Sequence, residues 1–183
     1  MIELNADIGE GCDDASLLPY LDRVSIACGG HAGDAASMAA ALRLAAEHGV
    51  AAGAHPSYPD RAQFGRQALA ASADDIAAWV TQQTEALAEQ AARLGLSLAH
   101  VKPHGALYNV AARDADVAQA IARATTTSRA ATLYSAPCGL TCASRSPSRA
   151  ACSASSSVCC VTQATISSAD AASSRRPNCA RSG

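Results

Sequence analysis

Four short stretches of this 183-residue chain set histidine, lysine or carboxylate side chains beside glycine and proline. They are Asn5-Ala6-Asp7-Ile8-Gly9-Glu10, Cys28-Gly29-Gly30-His31-Ala32-Gly33-Asp34, Gly53-Ala54-His55-Pro56-Ser57-Tyr58-Pro59-Asp60 and Lys102-Pro103-His104-Gly105-Ala106-Leu107-Tyr108-Asn109. Three of the five histidines, His31, His55 and His104, fall in them. With Asp7 and Glu10 these rings can form a proton-transfer system or a metal site. Lys102 can neutralise a phosphate or an oxyanion. Ligand spacing across separate loops matches no metal-site template, so the metal is left unknown. Tyr58, Phe64 and Tyr108 either wall the pocket or simply pack. Arg61 and Arg66 read as solvated loop charges, His48 as a helix-end cation, His100 as a packed strand residue and Cys28 as a small buried thiol.

Residues of this kind act together only if the backbone brings them to one place. Ile2–Ala6 alternates as a strand, Val24–Ala27 is a second, Val50–Gly53 a weak third and Leu96–Val101 a fourth. Between them lie helical patterns. Asp34 is a candidate cap for a helix carrying Met38, Leu42 and Ala45, with Gly49 as its stop. Ser72 and Asp75 form a capping pattern for a longer helix, whose apolar stripe Ile76, Trp79, Val80, Leu87 and Leu94 is interrupted at Gln83 and Thr84 and ends at Gly95. Asp114 can cap a last helix containing Val117 and Ile121. Strands alternating with helices predict an α/β fold with a mostly parallel sheet. Each of the four polar stretches follows a strand, the end at which such sheets bind ligands.

The net charge of −2 gives no global reason to expect nucleic acid or an anionic membrane surface as partner. No apolar run reaches the length of a membrane span. Met1-Ile2-Glu3-Leu4-Asn5 lacks the basic and apolar regions of a secretory signal, so a cytoplasmic protein is expected. The chain is short for a complete (β/α) barrel, which needs roughly 250 residues.

The four stretches, in this order and spacing, resemble the LamB/YcsF family over about residues 1–124. The resemblance implies a partial (β/α) barrel of the glycoside hydrolase/deacetylase type. It further implies the A component of an ATP-dependent 5-oxoprolinase, which acts with B and C subunits to open 5-oxo-L-proline to L-glutamate, ATP being the co-substrate. On that basis Lys102 stabilises phosphate or oxyanion, His55 and His104 serve as acid/base groups, and Asp7 or Glu10 orients one of them or activates water. Asn5, His31, Asp34, Tyr58, Tyr108 and Asn109 are the expected substrate-binding residues. Two rival functions stand beside this one: a metal-dependent deacetylase or carbohydrate-active hydrolase, and a non-catalytic binding subunit.

Residues 125–183 obey other rules. They hold 6 of the 8 cysteines, 1 acidic residue against 6 arginines, and 14 serines, with no sustained period. Too little apolar material is present to offset the entropy of ordering, so an irregular, disordered tail is expected. Its cysteine spacings fit no zinc template. Translation in a shifted reading frame of a GC-rich gene would yield this composition, and a chain so altered is expected to be poorly stable and inactive.

Overall fold

The structure, a computed structural model, describes residues 2–128 and residues 132–133. Five parallel strands, β1 (Asn5–Ile8), β2 (Arg23–Ala27), β3 (Ala51–His55), β4 (His100–Val101) and β5 (Thr132–Leu133), lie in sequential order β1-β2-β3-β4-β5. Helices α1 (Ala35–His48), α2 (Ala73–Arg93), α3 (Gly105–Ala111) and α4 (Ala115–Thr127) occupy the connections, with a single 3-10 turn at Leu18–Tyr20. Sequential parallel order is the winding of a (β/α) barrel and differs from that of a doubly wound sheet. It agrees with the expected α/β class.

Strand register explains how one sheet separates packing from chemistry. Ile8 pairs with Ile26, Ile26 with Ala54, and Ala54 with Val101. All four are fully buried and belong to the core with Leu42, Ile76, Val80, Leu87, Leu107 and Ile121. The alternate positions carry Asp7, Ser25, Gly53 and His100, paired in the same way. Since side chains alternate across a strand, the apolar set faces the helices and the polar set faces the other side. Gly53 has a packing reason to be glycine: a Cβ there would collide with the His100 ring.

The helix caps match their sequence signals. Asp34 and Ser37 cap α1 reciprocally, Ser72 and Asp75 do the same for α2, and the Asp114 carboxylate accepts from Asp116 and Val117 at the start of α4. Other elements differ from expectation. The first strand starts three residues later than the alternation suggests, at Asn5, and the third runs on to His55. The fourth is confined to His100–Val101, although Leu96–Val101 reads as strand. Gly105–Ala111 forms a helix where a loop is expected, and the turn at Leu18–Tyr20 has no clear sequence signal. Helix α4 continues past residue 124 to Thr127, and β5 (Thr132–Leu133) is a short strand within the segment expected to be irregular. The remainder of the expected tail, including its six cysteines, lies outside the described residues. Among the described residues, no helix is long and apolar enough to cross a membrane.

Candidate active site

The ends of β1, β3 and β4, the β2–α1 loop and the start of α3 bring six polar side chains together. Asp7 lies on β1, with Glu10 just beyond it; His55 ends β3; Lys102 follows β4; His104 is the N-cap of α3. His31 comes from the β2–α1 loop. Lys102 Nζ donates to Asp7 Oδ1 at 2.6 Å, and the other Asp7 oxygen is 3.4 Å from His55 Nε2. His31 Nε2 is 2.8 Å from Glu10 Oε1. His55 Nε2 and His104 Nδ1 are 3.0 Å apart. The His31 and His104 rings stack at 3.7 Å between centroids, and His55 meets both edge-on.

Two backbone carbonyls orient the central pair. His55 Nδ1 is 2.6 Å from the Lys102 oxygen, and His104 Nε2 is 3.0 Å from the Phe64 oxygen. A carbonyl can only accept, so each of these nitrogens carries its proton. Phe64 is placed for this by a left-handed backbone conformation (φ 53°), and its ring closes edge-on over His31 and His104.

The charges are strongly coupled. Burial works to raise the Asp7 carboxyl, but hydrogen bonds and charge from His55 and Lys102 outweigh it and hold the group well below the ordinary carboxylate range. The hydrogen bond from His31 lowers Glu10, against its partial burial and with help from the charges of His31, His55 and His104. Burial lowers His104, reinforced by repulsion from His31 and His55 and opposed by the Phe64 carbonyl and Glu10. Beneath the cluster His100 is pushed down to about 4, mainly by burial. Its Nε2 lies 3.2 Å from Ser25 Oγ and 3.3 Å from Asn5 Nδ2. Burial lifts the Cys28 thiol to about 12, which makes it inert at neutral pH.

The structure therefore gathers Asp7, Glu10, His31, His55, Lys102 and His104, all expected from the sequence. Asn5 lies one layer lower, in the network with Ser25 and His100. The remaining expected substrate contacts are placed otherwise. Tyr58 is buried in the core, edge-on to Trp79, because its ring completes the packing under α2. Asp34 commits its carboxylate to capping α1. Tyr108 is exposed on α3, and Asn109 lines a separate cleft of about 490 Å³ with Arg66 and Arg113, which contains none of the clustered histidines. Arg61 is exposed, as expected of a loop charge, and its guanidinium also donates to the Gly29 and Gly33 carbonyls at 3.1 and 2.8 Å, tying down the β2–α1 loop.

Gln83 is the residue that sequence reasoning misses. Buried on α2, it accepts from the Ser57 N–H at 3.0 Å and donates to the Ser57 carbonyl at 2.7 Å, which anchors the chain just after His55. Gly30 passes so close that a Cβ there would collide with the Gln83 and Ser57 side chains. The gap in the apolar stripe of α2 is the signal that could have found it.

Known proteins share this arrangement of sequence and fold. The chain is 54% identical over 129 residues to the A component of 5-oxoprolinase from Chloroflexus aggregans, and 51% identical over 129 residues to that of Chloroflexus aurantiacus; each alignment covers 67% of this chain and 51% of the relative. A lactam utilization protein from Thermus thermophilus superposes with a TM-score of 0.66 at 44% identity, covering 67% of this chain and 52% of that one. The chain thus spans about half the length of the curated relatives it matches. The LamB/YcsF family model matches residues 2–159, which takes in all four polar stretches and the strands that carry them, and the chain belongs to that family.

Proposed function

We propose that this site serves the opening of a lactam, 5-oxo-L-proline, to L-glutamate with cleavage of ATP to ADP and phosphate, as the A component of a cytoplasmic assembly with B and C subunits. Support comes from the two Chloroflexus relatives, each named as the A component of 5-oxoprolinase, and from the Thermus neighbour named for lactam utilization. The observation that carries the proposal is a cation, Lys102, held by Asp7 beside two oriented imidazoles at one end of a parallel sheet.

An unstrained lactam is a poor electrophile with a poor leaving group. Transfer of the terminal phosphoryl group of ATP to its carbonyl oxygen makes that oxygen a leaving group. Lys102 would balance the negative charge on this intermediate. The cluster of His55, His104 and Glu10 would activate water, which adds to the carbonyl carbon. The ring C–N bond then breaks and its nitrogen takes a proton, which leaves an acyl phosphate, and a second water hydrolyses that to release phosphate and leave the new carboxylate. His31 would hold Glu10 in position through its 2.8 Å hydrogen bond.

The test is ATP-dependent glutamate formation from 5-oxoproline by this chain, and in parallel by a full-length family member, each supplied with B and C subunits. In the full-length protein Lys102→Ala and His104→Ala should each lower the rate about 100-fold or more. Near-normal turnover in both variants would end the assignment.

A further inference from the structure

We propose that Glu10, His55 and His104, with His31 beside them, bind a divalent transition-metal ion of the zinc type. The first ground is proton accounting. His55 Nδ1 and His104 Nε2 both donate to backbone carbonyls, so in the neutral rings the opposite nitrogens, His55 Nε2 and His104 Nδ1, carry lone pairs. Those two nitrogens face each other at 3.0 Å, and His55 is almost wholly buried. Two lone pairs facing each other at that distance repel unless a proton or a metal ion lies between them, and the Glu10 carboxylate beside both nitrogens completes a donor set for a metal ion.

The second ground is size. Glu10 Oε1 lies 3.9 Å from His55 Nε2 and 3.7 Å from His104 Nδ1. With the 3.0 Å between the nitrogens, these three separations define a triangle whose equidistant point is about 2.1 Å from every corner, the bond length zinc makes to imidazole and carboxylate. A ring nitrogen of His31 lies within 4.8 Å of the other three donor atoms, and the 2.8 Å hydrogen bond from His31 Nε2 holds the Glu10 carboxylate in place beside them. Metal-bound histidines are held by a hydrogen bond from their second ring nitrogen, and the Lys102 and Phe64 carbonyls supply that here. A set dominated by imidazole selects zinc-like ions over magnesium or calcium.

The inference deepens the proposed function, for an ion here would lower the pKa of bound water and so perform the water activation assigned to the cluster. It rests on that reading only for its purpose, because binding is measured without turnover. The probe is Co²⁺ added to the metal-free full chain, with accessible thiols alkylated beforehand because of the six cysteines beyond residue 124. One equivalent of cobalt should give ligand-field absorption without thiolate charge-transfer bands, and zinc should displace it. His104→Ala and Glu10→Gln sit at partly exposed positions. Each should weaken binding at least about 100-fold, more than the loss of a ligand's hydrogen-bond partner does, with the far-ultraviolet dichroism unchanged. The unsubstituted cobalt protein should also show at least two paramagnetically shifted, slowly exchanging ring N–H signals, from His55 and His104. No stoichiometric binding, binding through thiolates alone, full affinity in both folded variants, or absence of those N–H signals would each overturn the proposal. Metal binding without lactam turnover would leave this inference standing and remove only the function.

Discussion

Replacing Gln83 by leucine tests whether the catalytic loop is anchored from the helix layer. The side chain pairs both the backbone N–H and the backbone carbonyl of Ser57, and both residues are buried. Leucine is close in volume and suits the apolar stripe of α2, so the cost should come from the two orphaned backbone groups. Each buried unpaired group costs about 1–3 kcal/mol, and new apolar burial offsets about 1–2 kcal/mol of the sum. Mid-range values give a net expected loss of about 2–3 kcal/mol. That is a large share of the roughly 5–15 kcal/mol that stabilises an ordinary domain. In urea denaturation the midpoint should fall with little change in slope. Hydrogen exchange should show the Ser57 amide losing protection ahead of amides in the α1 and α2 interiors. The neighbouring Gln82 is exposed, so Gln82→Leu should stay within about 0.5 kcal/mol of the unsubstituted chain. If Gln83→Leu costs no more than Gln82→Leu, the anchor has been misread and Gln83 does not help to position His55.

Other outcomes follow from single contacts. Burial first, then the charges of Arg23, Lys102 and His55, depress His100, while Asp7 opposes them. Its folded value of about 4 lies below the ordinary 6.5. Stability from this group is therefore complete above about pH 6.5 and declines as pH falls toward 4, by up to about 3 kcal/mol. His100→Gln should flatten that part of the stability profile, and an unchanged slope would refute the assignment. Gly53→Ala drives a methyl into the His100 ring, for which a denaturation series should show a loss of about 1–3 kcal/mol. Ser72→Ala removes one half of the α2 capping box and should cost about 1 kcal/mol by the same measurement. Iodoacetamide at neutral pH should label exposed Cys12 and spare buried Cys28 in the folded chain, with equal labelling by peptide mapping contradicting the burial.

Much of this molecule is legible in sequence because its signals are local. Asp34, Ser72 and Asp114 announce helix starts through side chains that reach only two or three residues along the chain. The strands are harder. Ala51–His55 holds three alanines and a glycine, so its position between β2 and β4 defines it more than β-propensity does. The Leu96–Leu98 alternation never becomes strand, since a parallel neighbour is available only from Ala99 onward. The six clustered side chains can be named in advance because their residue types carry chemistry, and Tyr58 misleads for the same reason: an aromatic ring is as useful to a core as to a pocket.

What decides the chemistry is not encoded in residue type at all. The nitrogen that each central histidine offers to the site is set by a peptide carbonyl, at Lys102 for His55 and at Phe64 for His104. Every residue has such a carbonyl, so no motif distinguishes these two. The Phe64 carbonyl is aimed by a positive φ at that residue, next to Gly65, where an added Cβ would press on His31 and His104. A substitution at Gly65 should therefore disturb the histidine cluster without altering any of its donors, because it displaces the peptide that holds His104 in register.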